Sequence, residues 1–228
     1  MAFMPQYAPI VVLMFLGAIL TWMLAAAVFV YGAARHHAAV RLWAGLALAA
    51  IPLAYATLLF GASLTSSQHV LPPGGKKYFC EIDCHLAYSV ERVTKGKTIG
   101  TAPHEARAAG DFYRIALKTW FDESTTSVHR PKEAPLYPNP RRVYIVDAFG
   151  RRFEPSADGQ RALLESGVES TPLSRPLIPG QSYITELVFD LPADVREPRL
   201  YVGDSDPVSS FLIGHEESPL HRKIWFGI

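Results

Sequence analysis

The chain has 228 residues, with 22 Lys and Arg against 21 Asp and Glu, a formal net charge of +1 and a hydrophobic share of 49%. All the acidic residues follow Lys76, and only Arg35 and Arg41 carry charge before it, so the tail holds 21 acids against 20 bases (22 less those two). Such a tail lacks the clustered Lys and Arg of a nucleic-acid footprint, and its 153 residues (76–228) suffice for one domain with its own core.

Residues 8–33 form an uncharged apolar run, and at about 1.5 Å per residue a helix of that length exceeds a hydrocarbon core of about 30 Å. Residues 42–64 form a second uncharged run, interrupted only by Pro52, which a membrane helix tolerates when neighbouring groups satisfy the freed carbonyl. A secretory signal is disfavoured, because the chain opens without a basic region and the first run is too long. The reading is a transmembrane hairpin over 1–65, with a cytoplasmic loop at 34–41 set by Arg35 and Arg41. The N-terminus and everything after Thr65 then lie outside, and Tyr7, Tyr31 and Trp43 fall where helix ends meet headgroups.

Gly17, Thr21 and Ala25 recur every four residues, as do Ala50 and Ala54, a spacing that lets helix backbones approach closely. Two uses are open: packing of the two helices on each other, or on another subunit. Trp22 requires a partner for its indole N–H that lipid cannot supply, and another protein or a bound pigment would provide one.

Residues 66–75 read as a linker, polar and then stiffened by Pro72 and Pro73. The stretch 78–90 alternates apolar and polar residues and reads as a strand. Residues 93–110, with four Gly or Pro, read as a loop, and 113–121 as a second strand. The proline-rich excursion 122–142 precedes a hairpin turning near Phe149 and Gly150, and 158–167 has helical character. Residues 183–191, 199–202, 210–213 and 223–228 complete the apolar segments. About seven strands and almost no helix predict an immunoglobulin-like antiparallel β-sandwich over 76–228 with Greek-key connections.

The runs Val146-Asp-Ala-Phe-Gly-Arg-Arg-Phe, Leu177-Ile-Pro-Gly-Gln-Ser and Leu187-Val-Phe-Asp-Leu-Pro resemble the immunoglobulin-like extracytoplasmic domains of the DUF4352 type found in bacterial membrane-tethered and lipid-anchored proteins. The resemblance covers about residues 84–228 and implies an interaction module without catalytic residues. The pair of helices in front departs from the usual single anchor.

Cys80, Cys84 and His85 are the one constellation with ligand character. Two helices followed by an exterior sandwich is also the topology of the copper-bearing subunit II of haem-copper oxidases. That subunit resembles Cys-x3-Cys-x3-His-x2-Met near the end of its domain, whereas here the cysteines open the domain and all four methionines precede it. A simpler copper or zinc site is the lesser alternative to a Cys80–Cys84 disulfide. In an unbroken strand those residues lie about 13 Å apart, beyond the ~7 Å a disulfide spans, so the disulfide requires a break near Ile82 and Asp83. His215 to His221 reads as a polar loop, and Arg141, Arg142, Arg151 and Arg152 as solvated hairpin edges. No nucleophile elbow or phosphate loop is present.

The expectation is a non-enzymatic accessory subunit, without cofactor, of a bacterial inner-membrane complex, with an energy-transducing assembly, photosynthetic or respiratory, as host. Its partners are the lipid bilayer and other membrane subunits, not nucleic acid. A free-standing envelope sensor or ligand-binding module and a metal-binding redox protein are the alternatives.

Overall fold

The computed structural model describes residues 2–3, 8–81 and 85–228. It divides into two compact units, one of Met1–Gln6, Gln68–Asp206 and Lys223–Ile228, the other of Tyr7–Ser67 and Pro207–Arg222.

The second unit is built on two long apolar helices, α1 (Ala8–Ala34) and α2 (Ala38–Leu64). A three-residue turn reverses the chain between them, with His36 in the left-handed region at φ 56°. Gly32 eases the close approach there: a Cβ would stand 3.0 Å from the Arg41 amide nitrogen and 3.1 Å from a Val40 methyl. Further along, Gly45 faces the Phe29 ring, and Phe15 meets Tyr55 at 6.0 Å between ring centroids. Phe15, Ala18, Trp22, Ala25, Phe29 and Gly32 thus recur at steps of three and four, the spacing of an antiparallel helix seam. Both helices are long and apolar enough to cross a membrane.

The same unit includes Pro207–Arg222, of which Pro207–Phe211 is a 3₁₀ turn. The apolar run 210–213 is therefore not a strand. Tyr55 donates its hydroxyl to the Phe211 carbonyl at 2.7 Å, Phe15 stacks on Phe211 at 6.2 Å, and the Arg222 amide donates to the Ser66 hydroxyl at 2.8 Å.

The first unit is a mostly antiparallel, sandwich-like pair of five-stranded sheets. Its strands are β1 (Ala2–Phe3), β2 (His69–Leu71), β3 (Lys76–Cys80), β4 (His85–Ile99), β5 (Ala106–Asp122), β6 (Arg141–Val146), β7 (Arg152–Phe153), β8 (Ser182–Leu191), β9 (Arg199–Asp204) and β10 (Ile224–Gly227). One sheet runs β1-β3-β4-β5-β8 and the other β2-β10-β9-β6-β7, with β1 parallel to β3 and β2 parallel to β10. Ten strands among the described residues exceed the expected seven, and residues 69–71 of the expected linker form a strand. The alternating stretch 78–90 is two antiparallel strands, because the chain reverses between Cys80 and its cross-strand partner His85. Residues 93–110 are not a loop but mostly the arms of the β4–β5 hairpin, which pair as far as Ile99 and Ala106.

Leu86, Tyr88, Ile115, Leu117 and Phe189 face Ile145, Leu200, Val202 and Phe226 in one core, all buried. A short helix, α3 (Ala157–Glu165), is capped by Ser156, whose hydroxyl accepts from the Gly159 amide, as an N-cap serine should. Its Leu163 packs with Phe112 and Val188 in a second, smaller cluster.

Candidate functional site

The faces of the hairpin differ in what they present. Gly17 has nothing within 4 Å of a Cβ built on it, and Thr21, Ala50 and Ala54 are exposed. Trp22 lies level with Leu48 and Phe15 with Tyr55, so in antiparallel helices Gly17 stands at the depth of Ala54 and Thr21 at that of Ala50. At about 100° per residue, all four lie roughly 70–140° from the seam direction of their own helix, and reversal of α2 brings the two sets of offsets to the same side. Four small residues therefore share one open face. Ala25, half-buried at the seam margin, does not belong to it. The Thr21 hydroxyl is satisfied within α1 by the Gly17 carbonyl at 2.7 Å.

Trp22 does not need an external partner for its N–H, which donates to the Leu48 carbonyl at 3.1 Å. Arg35 and Arg41 are both exposed at the turn between the helices, and Tyr31 and Trp43 are exposed near it. Tyr7 lies outside the described residues.

In the sandwich, Cys80, His85 and Asp122 occupy one cross-strand row, with His85 between the other two. Cys84, and with it the disulfide and the three-residue ligand set, lies outside the described residues. Among the described residues no group of three or more His, Cys, Asp or Glu could hold a metal ion. Burial lowers the His85 pKa, partly opposed by the Asp122 carboxylate. The Tyr78 hydroxyl donates to Asp122 at 2.9 Å, and burial together with that bond pushes the Tyr78 pKa up to about 12.

Arg141 is buried rather than solvated, its side chain only 1% exposed. It pairs with Glu81 and Asp204, donates to the Tyr88 hydroxyl at 3.3 Å and stacks over Phe79 at 4.0 Å. Asn139 donates to the second Glu81 oxygen at 2.6 Å. Burial pushes the Glu81 carboxyl up, against the pull of the Arg141 guanidinium. Arg151 keeps an edge position, pairing with Asp147 and Asp194, while Asp147 accepts the Phe149 and Arg151 amides and so closes the turn at Gly150.

Lys77 is a further buried cation, whose Nζ donates to the Val202 carbonyl at 2.5 Å and the Ile224 carbonyl at 3.3 Å. The β9–β10 ladder pairs Phe226 with Leu200 and Gly227 with Arg199 and goes no further, so the ammonium serves carbonyls beyond the end of that ladder. Nothing in the local sequence marks Lys77, because a lysine beside a second lysine after a linker reads as solvent-facing. On the outer face of the other sheet, Lys76, Ser89, Glu91, Lys118, Trp120 and Ser182 help line an open groove of about 550 Å³, with Lys76 over the Trp120 ring at 3.9 Å.

No protein-family model and no curated protein matches the chain. Among solved structures, a conserved hypothetical protein from Bacillus anthracis is 14% identical with a TM-score of 0.41, over 55% of this chain and 86% of that one. The secreted protein MPT63 from Mycobacterium tuberculosis is 9% identical with a TM-score of 0.41, over 73% of this chain and 100% of that one. The yjhA protein from Bacillus subtilis is 12% identical with a TM-score of 0.40, over 70% and 99%. Likeness at this level transfers no role to the present chain.

Proposed function

We propose that the chain is an integral membrane protein of a bacterial inner membrane, with its sandwich on the periplasmic side, and that it is a non-catalytic accessory subunit of a larger membrane complex. The observation that carries this reading is the pairing of a satisfied seam with a second, unused small-residue face. Leu13 and Leu53 are 68% and 69% exposed, which a core helix of a soluble protein would not be, so the helices suit lipid as solvent. In lipid, close backbone approach is what draws helices together, and Gly17, Thr21, Ala50 and Ala54 offer it. The sandwich, on this reading, is an immunoglobulin-like interaction module of the DUF4352 kind that the sequence resembles. Its buried polar groups are spent on holding the fold: Arg141 on two carboxylates, Lys77 on two carbonyls.

The test is solubilisation in mild detergent followed by native separation. The protein should migrate in fixed stoichiometry with a large complex, and Gly17→Leu combined with Ala54→Leu should release it with the sandwich still folded. A freely migrating wild-type protein overturns the proposal. Sidedness is checked separately, by a membrane-impermeant thiol reagent that should label a cysteine at Ser66 and spare one at Ala38 in intact cells.

A ligand-binding module is the second reading, favoured by the open groove at Trp120. Quenching of Trp120 fluorescence by an envelope saccharide or peptide, lost in Trp120→Phe, would favour it.

A further inference from the structure

We infer that Pro207–Arg222 is a lipid-facing element that seats in the periplasmic-side boundary of the inner-membrane bilayer beside the hairpin; the inference rests on the membrane reading above. The segment is turned inside out for a loop in water. Ser209, Glu216 and Ser218 are buried, while Val208, Phe211 and Leu220 are 47%, 54% and 67% exposed. Three large apolar side chains on 16 residues, shown outward while a glutamate is covered, are arranged for an apolar surrounding.

Its backbone is prepared for the same surrounding. The amides of Leu212, His215, Ser218 and His221 are each bonded to a carbonyl three residues back, at 2.9–3.3 Å, and the Ser218 hydroxyl takes the Leu212 carbonyl at 2.5 Å. The Glu217 amide donates to His215 Nδ1 at 3.1 Å. Non-helical backbone near hydrocarbon is tolerated only when its polar groups are satisfied in this way.

Position supplies the third argument. Phe211 is held by Phe15 and Tyr55, which at about 1.5 Å per residue stand roughly 10 Å from the start of α1 and 14 Å from the end of α2. Each 27-residue helix is about 40 Å long against about 30 Å of hydrocarbon, so with the excess shared between the two ends this level falls roughly 5–9 Å inside the boundary. The exposed Phe211 ring adjoins Phe15 of α1, and the Phe211 carbonyl is held by Tyr55 of α2. Leu220 also holds φ 65°, a left-handed conformation that a leucine seldom adopts, while contributing little to packing.

The occupant is therefore acyl chain, not a second protein. A diazirine-bearing residue placed singly at Val208, Leu220, Leu20 or Tyr137 of the full chain, irradiated in native membranes, tests this. Lipid adducts are expected at Val208 and Leu220, as at the helix position Leu20, and not at Tyr137 on the sandwich. Lipid adducts at Leu20 with protein adducts or none at Val208 and Leu220 overturn the inference and leave the hairpin in the membrane. No lipid adduct at Leu20 overturns the membrane reading itself, and equal lipid labelling at Tyr137 and Leu220 overturns the assignment of this segment.

Discussion

The Trp22 indole N–H donates to the Leu48 carbonyl, and Leu48 is the residue four positions before Pro52. In a regular helix that carbonyl would accept from the amide of residue 52, which proline lacks. One side chain of α1 thereby satisfies the acceptor that the proline of α2 leaves open. The two residues are a matched pair across the hairpin.

The first prediction follows from that pairing. Trp22→Phe should destabilise the hairpin by about 0.5–2 kcal/mol, the range of single polar contacts between membrane helices. In a Pro52→Ala background, where the residue 52 amide can take the Leu48 carbonyl, the same substitution should cost less. Unfolding of the four proteins in mixed detergent measures the coupling; equal costs in both backgrounds would refute it.

Arg141 is the second test. Arg141→Met leaves the Glu81 and Asp204 carboxylates without their shared cation and should cost about 3–5 kcal/mol, the range for breaking a buried pair. Adding Glu81→Gln should restore part of the loss. Urea unfolding of the full chain in detergent, followed by aromatic circular dichroism, checks both.

Lys77→Met should remove the donor serving Val202 and Ile224, at about 1–3 kcal/mol for each carbonyl left bare. Hydrogen exchange should accelerate in β10 and at the facing end of β9 well before it does in β5. Uniform acceleration would mean that the lysine matters only to global stability.

The pH dependence of stability should carry a contribution from His85. Its folded pKa lies below the usual imidazole value of 6.5, so the unfolded chain binds the proton more readily. Stability from this group is complete above that value and declines as the pH falls towards the lowered pKa. Subtracting the stability curve of His85→Asn from that of the wild type should isolate the slope, and a flat difference between pH 4 and pH 7 would remove His85 as its source.

Non-reducing peptide mapping should find Cys80 joined to Cys84, with metal below stoichiometric amounts in pure protein. The reversal between Cys80 and His85 supplies the break that the bond requires. Two thiols with one copper per chain would instead favour the redox alternative.

The helices were legible because absence of charge over 26 and 23 residues has few other meanings. Alternation was less informative. It runs through 78–90 because both arms of a hairpin alternate, and the pattern does not record the reversal between them. The outer arms of β4 and β5 escaped notice because lysine, arginine and glycine look like loop residues when hydrogen bonding to one neighbouring strand, not burial, keeps the chain extended. Arg141 and Lys77 read as surface residues because their partners, Asp204, Val202 and Ile224, are more than 60 positions away. Pro52 announces a bare carbonyl at Leu48, but only the register of two helices shows that Trp22 answers it.

The place of β10 between β2 and β9 bears on how the protein is made. β2 has no other strand partner among the described residues, and β10 follows every other strand in sequence. The second sheet therefore stays split until residues 224–227 have been synthesised. Through that interval β9 presents an unpaired edge to its surroundings, the form in which strands join the wrong chain. Biogenesis thus has a vulnerable stage, ended by four residues, in which a chaperone would have the most to do.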